Sequence, residues 1–172
     1  MSKPQSEILV RPRALHDDAA IAAIVAAAFA NEGEVRLIER LRRDGDMQLE
    51  CVAVVDETVV GHIAFSRLDV HRADRRLRAT ALAPLAVTPT LQRSGVGKAL
   101  TRTAVDRLRA QGEELIVVLG NPTYYHRFGF SSLLAKLLDA PYAGDSFMAL
   151  ELVADILGAL RWKVAYPRAF AA

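Results

Sequence analysis

Ala81-Leu-Ala-Pro-Leu-Ala-Val-Thr-Pro-Thr-Leu-Gln-Arg-Ser-Gly-Val-Gly-Lys-Ala-Leu100 decides the fold, together with its continuation to Gln111. An uncharged run from Ala81 to Thr88 ends at Pro89, a glycine loop covers Gln92 to Gly97, and a helical pattern follows. Leu100, Ala104, Val105 and Leu108 recur at the spacing of one helix face, with Arg102, Asp106, Arg107 and Arg109 on the other. The stretch reads as strand, turn, glycine loop, helix. Gly95 and Gly97 precede a helix whose first N–H groups point one way, with the positive end of the dipole behind them. Such a place holds an anion, most often a phosphate.

Spacing separates three phosphate-binding loops. A Walker A loop needs a Gly five positions before its Gly-Lys pair and a Ser or Thr after it. Gln92 and Ala99 stand at those positions, so the metal-holding hydroxyl of an NTPase is missing. A dinucleotide fingerprint needs a third Gly where Leu100 stands. The third pattern, Gln/Arg-x-x-Gly-x-Gly/Ala, is met at each fixed position by Gln92-Arg-Ser-Gly95-Val-Gly97. Here the sequence resembles the GNAT superfamily of acyl-CoA-dependent N-acyltransferases, in which this loop cradles the pyrophosphate of coenzyme A. The alternative reading of the same residues is a helix-start glycine loop with no ligand.

On the N-terminal side, Ile8 to Arg11 reads as a first strand stopped by Pro12. Asp17 or Asp18 is placed to cap a helix carrying Ile21, Ile24, Val25, Ala28 and Phe29 on one face. Asn31-Glu-Gly-Glu34 breaks it, and a second helix turns Val35, Ile38 and Leu41 inward before Asp44-Gly45-Asp46 ends it. Leu49 to Val55 and Val59 to Arg67 form a hairpin around Asp56-Glu-Thr58, with His62 and Ser66 on one face of its second strand. Asp69 to Arg78, with four arginines and His71, reads as a solvated hairpin loop. The other reading of that segment is a contact to an acidic substrate or a cofactor phosphate.

On the C-terminal side, Gln111-Gly112 ends the central helix, and Leu115 to Leu119 is a short apolar strand stopping at Gly120-Asn121-Pro122. Pro122 suits the first turn of a short helix through Tyr124-Tyr-His-Arg-Phe128, closed by Gly129. Leu133 to Leu138 follow, then Phe147 to Leu152 as a strand, then an Ala/Leu-rich tail ending Tyr166-Pro-Arg-Ala-Phe170. Strand pairs followed by strand–helix–strand predict an α/β (α+β) fold, a mixed sheet with helices on both faces.

Composition narrows the function classes. A length of 172 residues fits one domain, 1–172, and 52% apolar with 24% charged residues is an ordinary soluble composition. A net charge of +2 gives no argument for a nucleic-acid partner. Cys51 stands alone in an apolar run, so it reads as a buried structural thiol, with no intrachain disulfide and no multi-cysteine metal site. The 4 histidines show no ligand spacing, and no metal is expected. The N-terminus lacks the apolar core of a signal peptide, and the alanine-rich run Ala19 to Ala30 is too short to span a bilayer. The expectation is a cytoplasmic protein with no membrane partner.

A second motif follows in the right order. Tyr125-His-Arg-Phe-Gly129-Phe130 matches the Tyr-x-x-x-Gly-Phe pattern with which GNAT proteins follow the strand after the CoA helix. The string from Leu119 to Phe130 is similar to the YhbS-like branch of that superfamily. The resemblance runs from about Ile8 to Leu152 and implies a mostly antiparallel central sheet of about seven strands, splayed at the strand ending near Val87. It implies acetyl-CoA as co-substrate and direct transfer to an amine with no covalent enzyme intermediate.

What the resemblance implies about residues is specific. The backbone beside Leu85, Ala86 and Val87 lies along the acyl end of the cofactor, with the N–H near Val87 on the thioester oxygen. Gln92, Arg93, Ser94, Gly95, Val96, Gly97 and Lys98 hold the pyrophosphate. Tyr125 is the general acid, with Tyr124 beside the cofactor and second for that role. Asn121 stands where a side-chain amide often meets the pantetheine arm, although Pro122 follows directly and the helix to Tyr125 is shorter than usual. Many GNAT proteins carry a carboxylate base on the fourth strand, yet Ala81 to Val87 contains none. Glu32, Glu34 and His62 are the base candidates, with a water relay as an equal contender. The missing carboxylate favours one rival, an acyl-CoA-binding sensor without turnover. A second rival is a CoA-free interaction domain. Small amines, antibiotic-like amines, aminoacyl compounds and protein amines all fit the acceptor role, and a homodimer is compatible with the family.

Overall fold

The computed structural model describes residues 6–171. In chain order it places strand β1 (Leu9–Pro12), helices α1 (Asp18–Phe29) and α2 (Gly33–Asp44), and strands β2 (Met47–Val55), β3 (Thr58–Arg72) and β4 (Arg75–Val87). Helix α3 (Val96–Ala110), strand β5 (Leu115–Leu119) and the short helices α4 (Pro122–Tyr125) and α5 (Ser132–Ala135) follow. Strands β6 (Leu138–Asp139), β7 (Phe147–Glu151) and β8 (Trp162–Ala165) complete the order.

The strands form one 8-stranded sheet with the path β1-β2-β3-β4-β5-β7. All neighbours on that path are antiparallel except β4 and β5. Strand β3 is 15 residues long, and one of its edges serves two partners. Its first half pairs with β2, and Asp69 to His71 pair with β8, which in turn holds β6 in parallel. The sheet thus exceeds the expected seven strands, because the tail contributes β6 and β8. At the β2–β3 turn Asp56 and Glu57 both adopt left-handed backbone, with φ of 47° and 64°. That is the requirement of the tight turn whose twist matches its strands.

Two readings need correction. Asp69 to Arg78 is not a solvated loop: the β3–β4 ladder continues from Asp69↔Arg78 to Arg72↔Arg75, leaving only Ala73 and Asp74 as the turn. Val70 and Leu77 are buried on one face while charged side chains face out, and Arg75, Arg76 and Arg78 pair with Glu114, Asp69 and Glu113. Charge density hid a strand with period two. Asp17 and Asp18 do stand at the start of α1, but neither caps it with its side chain into the helix. Asp17 takes a two-pronged bond from Arg11 at 2.7 and 2.9 Å, and Asp18 one from Arg13 at 2.6 Å on both arms. Two arginine forks, from Arg11 on the first strand and Arg13 just past its end, outcompete the cap.

Helices cover both faces. Ile21, Ile24 and Val25 of α1 and Val35 and Ile38 of α2 close over Val52 and Ala86. On the other face Val96, Leu100, Ala104, Val105 and Leu108 of α3 close over Ile63, Phe65, Leu82, Ile116 and Val118. Cys51 lies fully buried in this second core, and burial pushes its thiol up to about 11, as a structural cysteine requires. A third cluster, with Trp162, Phe147 and Leu138, sits under the tail.

One polar network lies beneath α1 and α2. The Glu50 carboxylate meets His62 Nε2 at 2.8 Å and accepts from Arg42 Nη2 at 2.7 Å and Nε at 2.9 Å. His62 and Ser66 do share a face, and both are buried. Burial pushes the Glu50 carboxyl up, but the bonds from His62 and Arg42 outweigh it and hold it down at about 2. A carboxyl lowered in the folded state stabilises fully above its unfolded value near pH 4.5, and that stabilisation is lost as pH falls toward 2. Glu50→Gln should cost about 3–5 kcal/mol at pH 7 by leaving Arg42 and His62 without their partner. It should also flatten the decline in stability between pH 4.5 and 2, measured by urea unfolding across that range.

Candidate active site

The site begins where two strands part. β4 and β5 pair in parallel from Ala79↔Leu115 to Leu82↔Val118 and no further, although β4 continues to Val87. Pro84 lies just past that point, where Ala83 and Pro84 bulge between the Ile63↔Leu85 and Phe65↔Leu82 pairs. Proline has no N–H for a ladder bond, so a bulge at the end of a pairing is where it fits. Beyond it the Thr88 N–H donates to Val60 at 2.8 Å, which makes Val87↔Gly61 a non-hydrogen-bonded pair. The N–H groups of Val87 and Leu85 therefore point away from β3, into the gap that β5 has left. The Val87 carbonyl points the same way and accepts from Gln92 Nε2 at 3.3 Å.

The glycine loop closes one end of that gap. Arg93 and Gly95 are left-handed, with φ of 63° and 93°, and the first intrahelical bond after them is Ala99 N–H to Gly95 at 3.0 Å. The N–H groups of Val96, Gly97 and Lys98 are thus free at the N-terminus of a 15-residue helix. Arg93 and Lys98 are exposed beside them. Ser94 has a different duty, its hydroxyl donating to the Leu91 carbonyl. The Val96 side chain belongs to the core, so only its backbone faces the loop.

Two tyrosines cross the gap, each seated over a glycine. A Cβ on Gly97 would lie 2.7 Å from Tyr124 Oη, and one on Gly120 would lie 2.5 Å from Tyr125 Cε2. Gly97 thus makes room for a tyrosine as much as for a ligand. Tyr124 Oη is shielded from solvent with no hydrogen-bond partner among the described residues, and burial raises its pKa. Tyr125 is buried, packed edge-on against Tyr124 at 4.9 Å and Phe130 at 5.6 Å, and burial drives its pKa well above the ordinary phenol value. At neutral pH it holds its proton. The Asn121 side-chain oxygen caps α4 by accepting from Thr123 N–H at 2.9 Å, which leaves its amide nitrogen free to donate to a ligand.

Two clefts share this gap. One, of about 620 Å³, is lined by Leu85, Ala86, Val87, Gln92, Arg93, Gly95, Gly97, Lys98 and Tyr124, and also by Thr123 and Arg127. The other, of about 720 Å³, is lined by Glu34, Arg36 and Arg40 of α2, by β4 and β5 where they part, and by Tyr142, Tyr166 and Phe170. Both volumes suit small-molecule sites. Tyr125, Leu85, Asn121 and Phe29 line both clefts, so Tyr125 stands where they meet.

The base candidates separate cleanly. Glu34 lines the larger cleft, and burial raises its pKa. Glu32 is exposed and lines neither cleft, and His62 is fully buried against Glu50 under the helices, away from both. The Asp69–Arg78 hairpin also lies outside both clefts. Sequence reasoning missed Gly120, Phe29, Arg127 and the tail aromatics. A glycine closing an apolar strand five residues before Tyr125, and Tyr166 and Phe170 one helical turn apart, were the available signals. Among the described residues no group of three or more His, Cys, Asp or Glu is placed to hold a metal ion.

Comparison with known proteins gives a consistent result. The acetyltransferase (GNAT) domain family matches residues 10–133. The chain is 32% identical over 166 residues to the uncharacterized N-acetyltransferase YhbS of Escherichia coli, covering 95% of this chain and 98% of that protein. The crystal structure of Escherichia coli YhbS in complex with CoA superposes with a TM-score of 0.90 at 31% identity, covering 100% of this chain and 96% of that one. A GNAT family acetyltransferase from Brucella melitensis in complex with acetyl-CoA superposes with a TM-score of 0.79 at 30% identity, covering 96% and 99%.

The seating of Tyr125 is testable without any ligand. Gly120→Ala forces a methyl group against its ring and should destabilise the protein by about 1–3 kcal/mol, read as a lowered denaturation midpoint with unchanged slope.

Proposed function

Because the chain belongs to the GNAT acetyltransferase family, we propose that it transfers the acetyl group of acetyl-CoA to an amine by direct attack, as a single cytoplasmic acyltransferase domain. The observation that carries this reading is the junction of the two clefts at Tyr125, with a free N–H at Val87 on one side and Glu34 on the other. The CoA and acetyl-CoA held by the two superposed structures support placing the cofactor in the cleft beside the glycine loop.

The residues present fit that group. Acetyl-CoA supplies an acyl thioester, and the rest of the chemistry falls to the chain. The N–H groups of Arg93 to Lys98, with the Arg93 and Lys98 charges, bind the pyrophosphate. The unpartnered Tyr124 hydroxyl and the Asn121 amide nitrogen offer polar contacts along the groove. The Val87 N–H, fixed by the β3–β4 ladder, receives the thioester oxygen, a contact of a kind that contributes roughly 2.7–4 kcal/mol. Tyr125 keeps its proton at neutral pH and delivers it to the departing sulfur. Glu34, raised by burial, takes a proton from the incoming ammonium, so the absence of a carboxylate on β4 no longer favours a silent sensor. Among the described residues no helix is long and apolar enough to cross a membrane.

Acetyl-CoA or CoA at a hundredfold excess over Kd should add about 2.7 kcal/mol and raise Tm by roughly 5–11 °C, with no shift from ATP. Tyr125→Phe should lower kcat by about 10²–10⁴ while leaving the Kd for acetyl-CoA nearly unchanged, by stopped-flow and calorimetry. An unchanged kcat removes Tyr125 from the mechanism. The acid limb of kcat/KM should fall as pH drops through the raised Glu34 value, and Glu34→Gln should abolish that limb along with most activity.

A further inference from the structure

The larger cleft holds two positive charges. Arg36 and Arg40 stand one turn apart on α2, and both line it. Neither pairs with a carboxylate among the described residues, whereas Arg42 and Arg43 of the same helix pair with Glu50 and Asp44. Arg40 Nε is shielded from solvent and has no hydrogen-bond partner among the described residues. A guanidinium N–H withdrawn from water with nothing to donate to is costly, and a ligand oxygen would remove that cost.

Glu34 is the one carboxylate among the lining residues. The same cleft has an aromatic wall, with Tyr166 edge-on to Tyr142 and to Phe170, each at 5.1 Å. One carboxylate, two guanidiniums and an aromatic wall are complementary to a molecule with an ammonium, an anionic oxygen group and an apolar body. We propose that the acceptor is a small amine of amino-acid type, whose anionic oxygen group, carboxylate or phosphonate, is held by Arg36 and Arg40. The planar fork of arginine matches either anion with two parallel bonds. A polyamine would bring only positive charge to this pair and is disfavoured. The turnover part of this inference rests on the transferase reading above; the binding part rests on the cleft alone.

The test uses the full chain saturated with CoA and follows binding by calorimetry, with thiol release from acetyl-CoA measured in parallel. Leucine and phenylalanine, and their aminophosphonate counterparts, are compared with isopentylamine and 2-phenylethylamine, which lack the acid. The acid-bearing amines should bind about tenfold or more tightly than their partners, and the favoured acid arm names the anion. Arg40→Met and Arg36→Met should each remove the preference while leaving the Kd for CoA unchanged. Arg36 is exposed, so its variant keeps the test decisive where Arg40→Met fails to fold. Equal binding of the paired amines, no binding by any acid-bearing amine, or a preference that survives both substitutions overturns the proposal. Selective binding without thiol release leaves it standing and overturns the transferase reading. Thiol release from all the amines without selectivity does the reverse.

Discussion

The parting of β4 from β5 is the constraint on which the site depends. A parallel pair of strands buried between helices would ordinarily run its ladder to the end, because unpaired backbone groups in such a place are costly. Here the ladder stops at Leu82↔Val118, and the next residues of β4 bulge at a proline that has no N–H to offer. From that interruption follow a wedge-shaped gap through the sheet, two N–H groups facing into it, and the space that Tyr125 fills. β3 holds β4 from the other edge through Gly61↔Val87, so the freed groups stay fixed in direction. Fixed donors need no rearrangement when charge develops, which gives an oxyanion contact its value.

The helix that follows completes the arrangement for the same backbone reasons. Gly95 is the left-handed residue that lets the chain turn from the gap into α3, and the turn leaves the first N–H groups of α3 facing the gap. Leu100, Ala104 and Leu108 then anchor α3 on the sheet face beneath, where all three are fully buried. The free N–H groups at the start of α3 and the Val87 N–H are thereby set at a constant separation by one strand, one turn and one helix. Tyr124 and Tyr125, seated over Gly97 and Gly120, tie α4 to both sides of the gap.

What was legible in the chain follows from this division. The glycine loop, the strand before it, α3, β5 and the tyrosine turn were readable because each is specified by local pattern: left-handed positions, a helical face, an apolar run, a proline at a helix start. The β3–β4 hairpin was misread because its outer face is crowded with arginines, and a period of two is hard to see when only Val70 and Leu77 carry it. Strands β6 and β8 were missed because they are 2 and 4 residues long and exist only through pairing with each other and with the far end of β3. The partner of His62 is set by the β2–β3 register, and Asp17 and Asp18 meet Arg11 and Arg13 only once the chain turns back between β1 and α1, which one-dimensional spacing does not carry. The same holds for Gly120, whose importance is a 2.5 Å approach that no sequence pattern expresses.

The two halves of the gap are built from different material. The half beside the glycine loop is mostly backbone: N–H groups of β4 and of the start of α3, whose positions survive side-chain substitution so long as Gly95, Gly97 and the ladder remain. The half lined by α2 is mostly side chains, supplied by α2 and by the tail, with Phe170 and Ala169 packed against the Leu37–Leu41 edge of α2. Substituting Glu34, Arg36, Arg40 or Tyr166 alters charge and shape there without touching the strand parting or the glycine loop. Under the proposed function, selectivity for the acceptor can therefore change while the thioester contacts stay in place. In this chain that half carries Glu34, Arg36 and Arg40 of α2, and neither arginine pairs with a carboxylate among the described residues.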